Sequence, residues 1–105
     1  MKIKQGDAYS VPIQVKLNGE PLVMENVETV EFYIGGYRKL YPSEVTYDTS
    51  DGYFYIPVTQ EETFSWTANS PVMLDARVKF IGGNVQGIEK PVSIGVVDAV
   101  SEEVL

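Results

Sequence analysis

Val72-Met73-Leu74-Asp75-Ala76-Arg77-Val78-Lys79-Phe80, followed by Ile81-Gly82-Gly83-Asn84 and a return through Val92, Ile94 and Val96, decides the class of this fold. In the first limb the apolar residues Val72, Leu74, Ala76, Val78 and Phe80 alternate with Met73, Asp75, Arg77 and Lys79, the period-two pattern of a half-buried strand. Two glycines and an asparagine then supply a reversal, because they reach positive φ at little steric cost. Facing residues of an antiparallel pair keep a constant sum of residue numbers, so the register can be tested. If Ile81 faces Val85 across a three-residue loop, Val78 faces Ile88, Leu74 faces Val92 and Val72 faces Ile94. A two-residue Gly82-Gly83 loop needs a bulge at Gly87 to recover the later pairs. Lys90 opposite Ala76 is the misfit in either case, and Pro91 lacks an amide donor, which places the return limb near a sheet edge.

Working outward, Tyr9, Val11, Ile13, Val15 and Leu17 alternate with polar residues and Pro12, a second strand with one free side. Asn18-Gly19 makes a turn. Val30, Phe32 and Ile34 form the inward parity of a third strand, with Thr29, Glu31 and Tyr33 facing away, and Gly35-Gly36 ends it. Leu40 and Val45 are expected to pack inward from the less regular segment 37–47. Asp48-Thr49-Ser50-Asp51-Gly52 is a turn whose side chains bond their own backbone. Phe54, Ile56 and Val58 line the core side of a fourth strand, opposite Tyr53, Tyr55 and Pro57. Thr59-Gln60-Glu61-Glu62 matches a capping box and predicts one or two helical turns through Trp66. Near the end, Ser101 is placed to cap a second short helix.

About seven short strands, regularly spaced turns and one helical turn predict an all-β fold, an immunoglobulin-like antiparallel β-sandwich, with a small barrel as the alternative. At 105 residues the chain makes a single domain, 1–105, with residues 99–105 as a docking tail. A chain of this size buries somewhat over ~60% of its unfolded surface, enough for one core.

Composition narrows the function. The chain has neither cysteine nor histidine, which removes disulfides, thiolate nucleophiles, the commonest general base and the commonest transition-metal ligands. Fifteen acids against eight bases give a formal charge of −7, so nucleic acid and anionic membranes are poor partners. Lys2 and Lys4 are followed by Gln5-Gly6-Asp7 rather than an apolar stretch, so no secretory signal is read and synthesis in the cytoplasm is expected.

The opening Lys4-Gln5-Gly6-Asp7, the alternating strand, Asn18-Gly19-Glu20-Pro21-Leu22 and Val27-x-x-Val30-x-Phe32 resemble the immunoglobulin-like domain at the start of baseplate upper proteins from phages of Gram-positive bacteria. The order of later parts is similar too: the Asp51-Gly52 turn, an aromatic strand, a Thr59-led helical turn and a final hairpin. The resemblance implies a structural module of a phage or prophage virion, in the tail, baseplate or head-tail region, made in the host cytoplasm.

Candidate chemistry is sparse. Glu61-Glu62 and Glu102-Glu103 read as solvated acids at helix starts rather than general acid-base groups. Asp48, Ser50 and Asp51 lack the ligand spacing of a calcium loop, and neither Gly-Gly pair leads into a phosphate-binding helix. No catalytic residue, cofactor or metal is expected. The aromatics carry more: Tyr33, Tyr53 and Tyr55 oppose the core residues of their strands. The resulting face is read as covered by residues 37–47, as a subunit contact, or as a stacking platform for a cell-surface glycan. The candidate interface therefore comprises Tyr33, Tyr53, Tyr55, Trp66, Val100, Val104 and Leu105, facing further copies of the chain or other virion proteins. A carbohydrate-binding module using the exposed tyrosines is the alternative function.

Overall fold

The computed structural model describes residues 2–99, 101 and 103–105. In chain order the elements are β1 (Lys2–Lys4), β2 (Tyr9–Ile13), β3 (Lys16–Leu17), β4 (Glu20–Pro21), β5 (Val27–Ile34), β6 (Tyr37–Tyr41), β7 (Thr46–Asp48) and β8 (Tyr53–Val58). The one helix among the described residues, α1 (Gln60–Phe64), precedes β9 (Val72–Phe80), β10 (Val85–Gly87) and β11 (Val92–Val97). The larger sheet has the order β1-β11-β9-β5-β6, with β10 also on β9, and the smaller has the order β2-β8-β7. Among the described residues no hydrogen-bonded strand pair joins these two sheets, so the fold is a sandwich and not a barrel. Its connectivity is immunoglobulin-like: β2, β8 and β7 follow the B-E-D order, and β11, β9, β5 and β6 follow G-F-C-C′.

The core lies between the sheets. Phe32 of β5 meets Phe54 of β8 at 5.3 Å between ring centroids, and Tyr41 and Tyr47 pack on Phe54 at 5.3 and 4.8 Å. Val11, Val30, Ile34, Val45, Ile56, Leu74, Val78 and Ile94 are buried around them. Pro12 sits on β2, an edge strand of its sheet, as its missing amide requires. Pro57 lies on the central β8 but past Tyr55, the last residue paired with β7.

The eleven strands exceed the expected seven for three reasons. Lys2–Lys4 pairs parallel with β11 before the chain crosses to the smaller sheet, Asn18-Gly19 closes its own β3-β4 hairpin, and the return limb of the final hairpin is split. That split corrects the predicted register. The loop is three residues long but consists of Ile81, Gly82 and Gly83, with Phe80 N donating to Asn84 O at 2.8 Å. Val78 consequently faces Gln86 and not Ile88, whereas Leu74 faces Val92 and Val72 faces Ile94 as the arithmetic required. Two residues are accommodated between these ladders, where Glu89 and Lys90 bend out before Pro91. The bulge removes Lys90 from the position opposite Ala76, where a charge would have met the core.

Two further expectations are corrected. Leu40 lies opposite Glu31 on the outer side of the larger sheet, while its neighbour Lys39 lies opposite Phe32 on the inner side. The Tyr37–Tyr41 strand is set by its two-residue turn, in which Gly35 and Gly36 have φ of 55° and 88°, and that register fixes the parity. The described residues after Ala99 are not helical, and Ser101 Oγ accepts only a local bond from Glu103 N at 3.2 Å.

Trp66 follows α1 and closes one end of the sandwich. It is 5% exposed, its Nε1 donates to Gly35 O at 3.0 Å, and Tyr37 packs on it at 6.4 Å. A Cβ on Gly35 would lie 2.2 Å from Trp66 Nε1. Gly35→Ala therefore combines positive φ with overpacking and should destabilise the domain by about 2–4 kcal/mol. Urea unfolding followed by the fluorescence of this sole tryptophan measures the loss; an unchanged midpoint would show that Trp66 does not depend on the close approach.

Candidate functional site

The expected tyrosine face does not exist as one surface. Tyr33 lies on the outer side of the larger sheet, opposite Arg38 and Asp75, and is 44% exposed. Tyr53 and Tyr55 lie on the outer side of the smaller sheet, opposite Asp48 and Thr46. Strand parity put all three away from the core correctly, but the strands belong to different sheets, so the side chains point to opposite sides of the sandwich. Tyr37, Tyr41 and Tyr47 pack against the core. Trp66 presents no surface to a partner, because the α1 turn drives it beneath Gly35. Val104 and Leu105 are exposed, and Val100 lies outside the described residues.

The polar residues of the smaller sheet serve its turn. Asp48 Oδ1 accepts from Ser50 N at 2.8 Å and from Ser50 Oγ at 2.6 Å, and Asp51 Oδ1 accepts from Tyr53 N at 2.8 Å. Asp51 Oδ2 accepts a further short bond from the Tyr55 hydroxyl. That bond to a carboxylate, with burial and the Asp51 and Asp48 charges adding to it, pushes the Tyr55 phenol up to about 12.

The Glu61-Glu62 pair is not simply a solvated helix start. Thr59 Oγ1 accepts from Glu62 N at 3.2 Å and Glu62 Oε1 accepts from Thr59 N at 2.9 Å, the predicted capping box. The same carboxylate also takes Lys39 Nζ at 2.9 and 2.8 Å, with the two side chains 10% and 16% exposed. Burial alone would raise the Glu62 carboxyl, but the Lys39 ammonium and the Thr59 donors prevail and hold it below the usual carboxylate range. Glu62 is thus the counter-ion that lets a lysine stand on the inner side of β6.

The most ordered polar constellation is one the sequence did not single out. Glu31, 8% exposed although on the outer side of β5, accepts from Arg38 Nε at 2.6 Å and from Arg77 Nε at 2.8 Å, with Arg77 Nη2 at 2.6 Å. The two arginines come from the strands on either side: Arg77 directly opposite on β9, Arg38 one diagonal step away on β6. Their side chains stay 53% and 62% exposed, so they cover the carboxylate and face solvent themselves. The Arg38 bond, opposed by burial and reinforced by Arg77, holds the Glu31 carboxyl below its usual range. A signal for this triad exists in the sequence, since all three residues have outward or unassigned parity, but only the strand order brings them together.

Charge is segregated around the triad. The outer face of the larger sheet carries Lys2, Lys4, Arg38, Arg77 and Lys79, five of the eight bases. Against them stand Glu31, Asp75 and, at the margin, Glu28 paired with Lys79 at 3.3 Å. The other twelve acids lie elsewhere in the chain with three bases. An acidic protein thus turns one modestly cationic face to solvent.

No protein-family model matches this chain, and no curated protein does. Among solved structures, the first immunoglobulin-like domain of human CD48 antigen is similar over 100% of this chain and 86% of that one, with 20% identity and a TM-score of 0.43. Nothing about binding carries over at that level of similarity.

Two expected outcomes test these assignments. Glu62→Gln keeps a capping partner but strands the buried Lys39 ammonium, and should cost about 3 kcal/mol in urea unfolding. Adding Lys39→Met should restore most of the loss; a double variant no better than the single would refute the ion-pair account. In alkaline titration by ultraviolet difference absorbance, Tyr55 should ionise near 12 rather than near its ordinary 10.0, so its contribution to stability is present below 10 and fades as pH rises through 12. Asp51→Asn should bring that late transition back toward the others.

Proposed function

We propose that this protein is a non-enzymatic interaction module of a phage or prophage particle, joining proteins of the tail, baseplate or head-tail region through the outer face of its larger sheet. The observation that carries the reading is that face itself: solvent-exposed at Tyr33, Met73, Arg38, Arg77 and Lys79, opposite in charge to the rest of the chain, and held in shape by Glu31 between two arginines. Charge complementarity of this kind sets orientation and encounter rate in protein assembly. The motif residues that resemble the baseplate domain support the reading as well. Gln5 Nε2 donates to Trp66 O at 2.7 Å, Gly6 N donates to Thr63 Oγ1 at 2.9 Å, and Thr63 Oγ1 donates to Asp7 O at 2.9 Å. Lys4-Gln5-Gly6-Asp7 is therefore the knot that carries the chain from one sheet to the other, a reason for such a motif to accompany this architecture.

The carboxylates that an acid-base mechanism would recruit are committed elsewhere: Glu31 to two arginines, Glu62 to Lys39 and a cap, Asp48 and Asp51 to a turn. A glycan platform loses its aromatic row, since Trp66 is buried and Tyr33 points away from Tyr53 and Tyr55.

Particles purified from an induced host and analysed by quantitative mass spectrometry should contain the chain in fixed proportion to the tail proteins. A folded Arg38→Gln, Arg77→Gln variant should be incorporated poorly. Particles that lack the wild-type chain altogether would end this reading.

A further inference from the structure

We propose that the arginine fork around Glu31 receives an acidic-aliphatic segment of a second copy of this chain, the stretch Glu102-Glu103-Val104-Leu105, so that copies join head to tail. The inference deepens the interaction-module reading and rests on it.

The receptor side is built. A shallow depression of about 300 Å³ is lined by Glu31, Arg38, Arg77 and Lys79, with Leu40 and Val85 beside them. One carboxylate faces two guanidiniums there, and Lys79 already shares its charge with Glu28. A guanidinium has five N–H donors, and Glu31 engages only Nε of Arg38 and Nε and Nη2 of Arg77. The remaining donors are oriented by a buried carboxylate and exposed, which suits bidentate capture of another carboxylate. Leu40 stands on the outer side of its strand and Val85 is 56% exposed, so an aliphatic side chain next to the incoming acid would find apolar contact.

The occupant follows from charge and exposure together. Residues 102–105 place two glutamates directly before valine and leucine. Val104 and Leu105 are exposed, and among the described residues the backbone of Leu105 is held by a bond to Gln60 Oε1 at 3.1 Å. The segment therefore matches the fork in both charge and apolarity at little cost in existing contacts. A face-to-face dimer would oppose cation to cation. Tail-into-face contact is heterologous, and repeated it yields rings or open chains rather than a closed pair. A polyanionic nucleic acid is a poorer occupant, because the remainder of the chain repels it.

Sedimentation velocity on the full chain, over a concentration series at low and high salt, tests the proposal. The wild type should associate, less so at high salt. Arg77→Glu and Glu103→Lys should each weaken association about tenfold or more. An equimolar mixture of the two variants should recover association, since the reversed face of one meets the reversed tail of the other and their unaltered face and tail still match. Glu103→Lys keeps the test valid if Arg77→Glu unfolds, because residue 103 makes no core contact. Association that Arg77→Glu abolishes but Glu103→Lys leaves intact would overturn the tail as occupant while leaving the face as an interaction surface. A wild type that stays monomeric at every concentration and salt would overturn self-assembly, with particle incorporation still deciding the module reading separately.

Discussion

One strand held in one register serves both sides of this protein. Between β6 and β9, the inner positions Val30, Phe32 and Ile34 of β5 build the core, and the outer positions Glu31 and Tyr33 build the candidate site. Side chains alternate strictly along a strand, so a slip of one residue would turn Glu31 into the apolar core and Phe32 onto the outer face. The core contact between Phe32 and Phe54 thus also fixes where the arginines meet Glu31. The Gly35-Gly36 turn sets the β6 side of this register, and its tightness sets the place of Trp66 in turn.

The end of the sandwich near α1 follows a different logic. Here polar groups are buried and matched: Thr63 is fully buried and bonded to Gly6 and Asp7, and Lys39 is paired with Glu62. No buried side-chain nitrogen or oxygen among the described residues lacks a partner. A buried ion pair contributes little net stability, because desolvation offsets the attraction, but losing one partner is costly. These contacts tie the first residues, the helix and the β5-β6 turn into one unit and so specify the arrangement more than they strengthen it.

Charge is distributed to match. Cations gather on the outer face of the larger sheet, and twelve of the fifteen acids lie elsewhere in the chain. Such a molecule has a direction, which favours ordered association over nonspecific clustering. The outer side of the smaller sheet is different in kind: its acids are locked into the 48–52 turn and its tyrosines are bonded or flanked by it.

The sequence by itself determined β2, β5, β8 and β9 with their inward faces, the turns between them and the capped helix, because these depend on period-two alternation and on residues three or four positions apart. It also determined the lower half of the final hairpin, where Leu74 meets Val92, and it marked Lys90 as a misfit without showing that a bulge would remove it. Only the tertiary structure decided which strands share a sheet. Tyr33 therefore parted from Tyr53 and Tyr55, Lys39 turned inward in place of Leu40, and Glu31 came to lie between Arg38 and Arg77. Residues 31, 38 and 77 meet only because β5 lies between β6 and β9, and strand order is set by how whole faces pack, which no local pattern encodes.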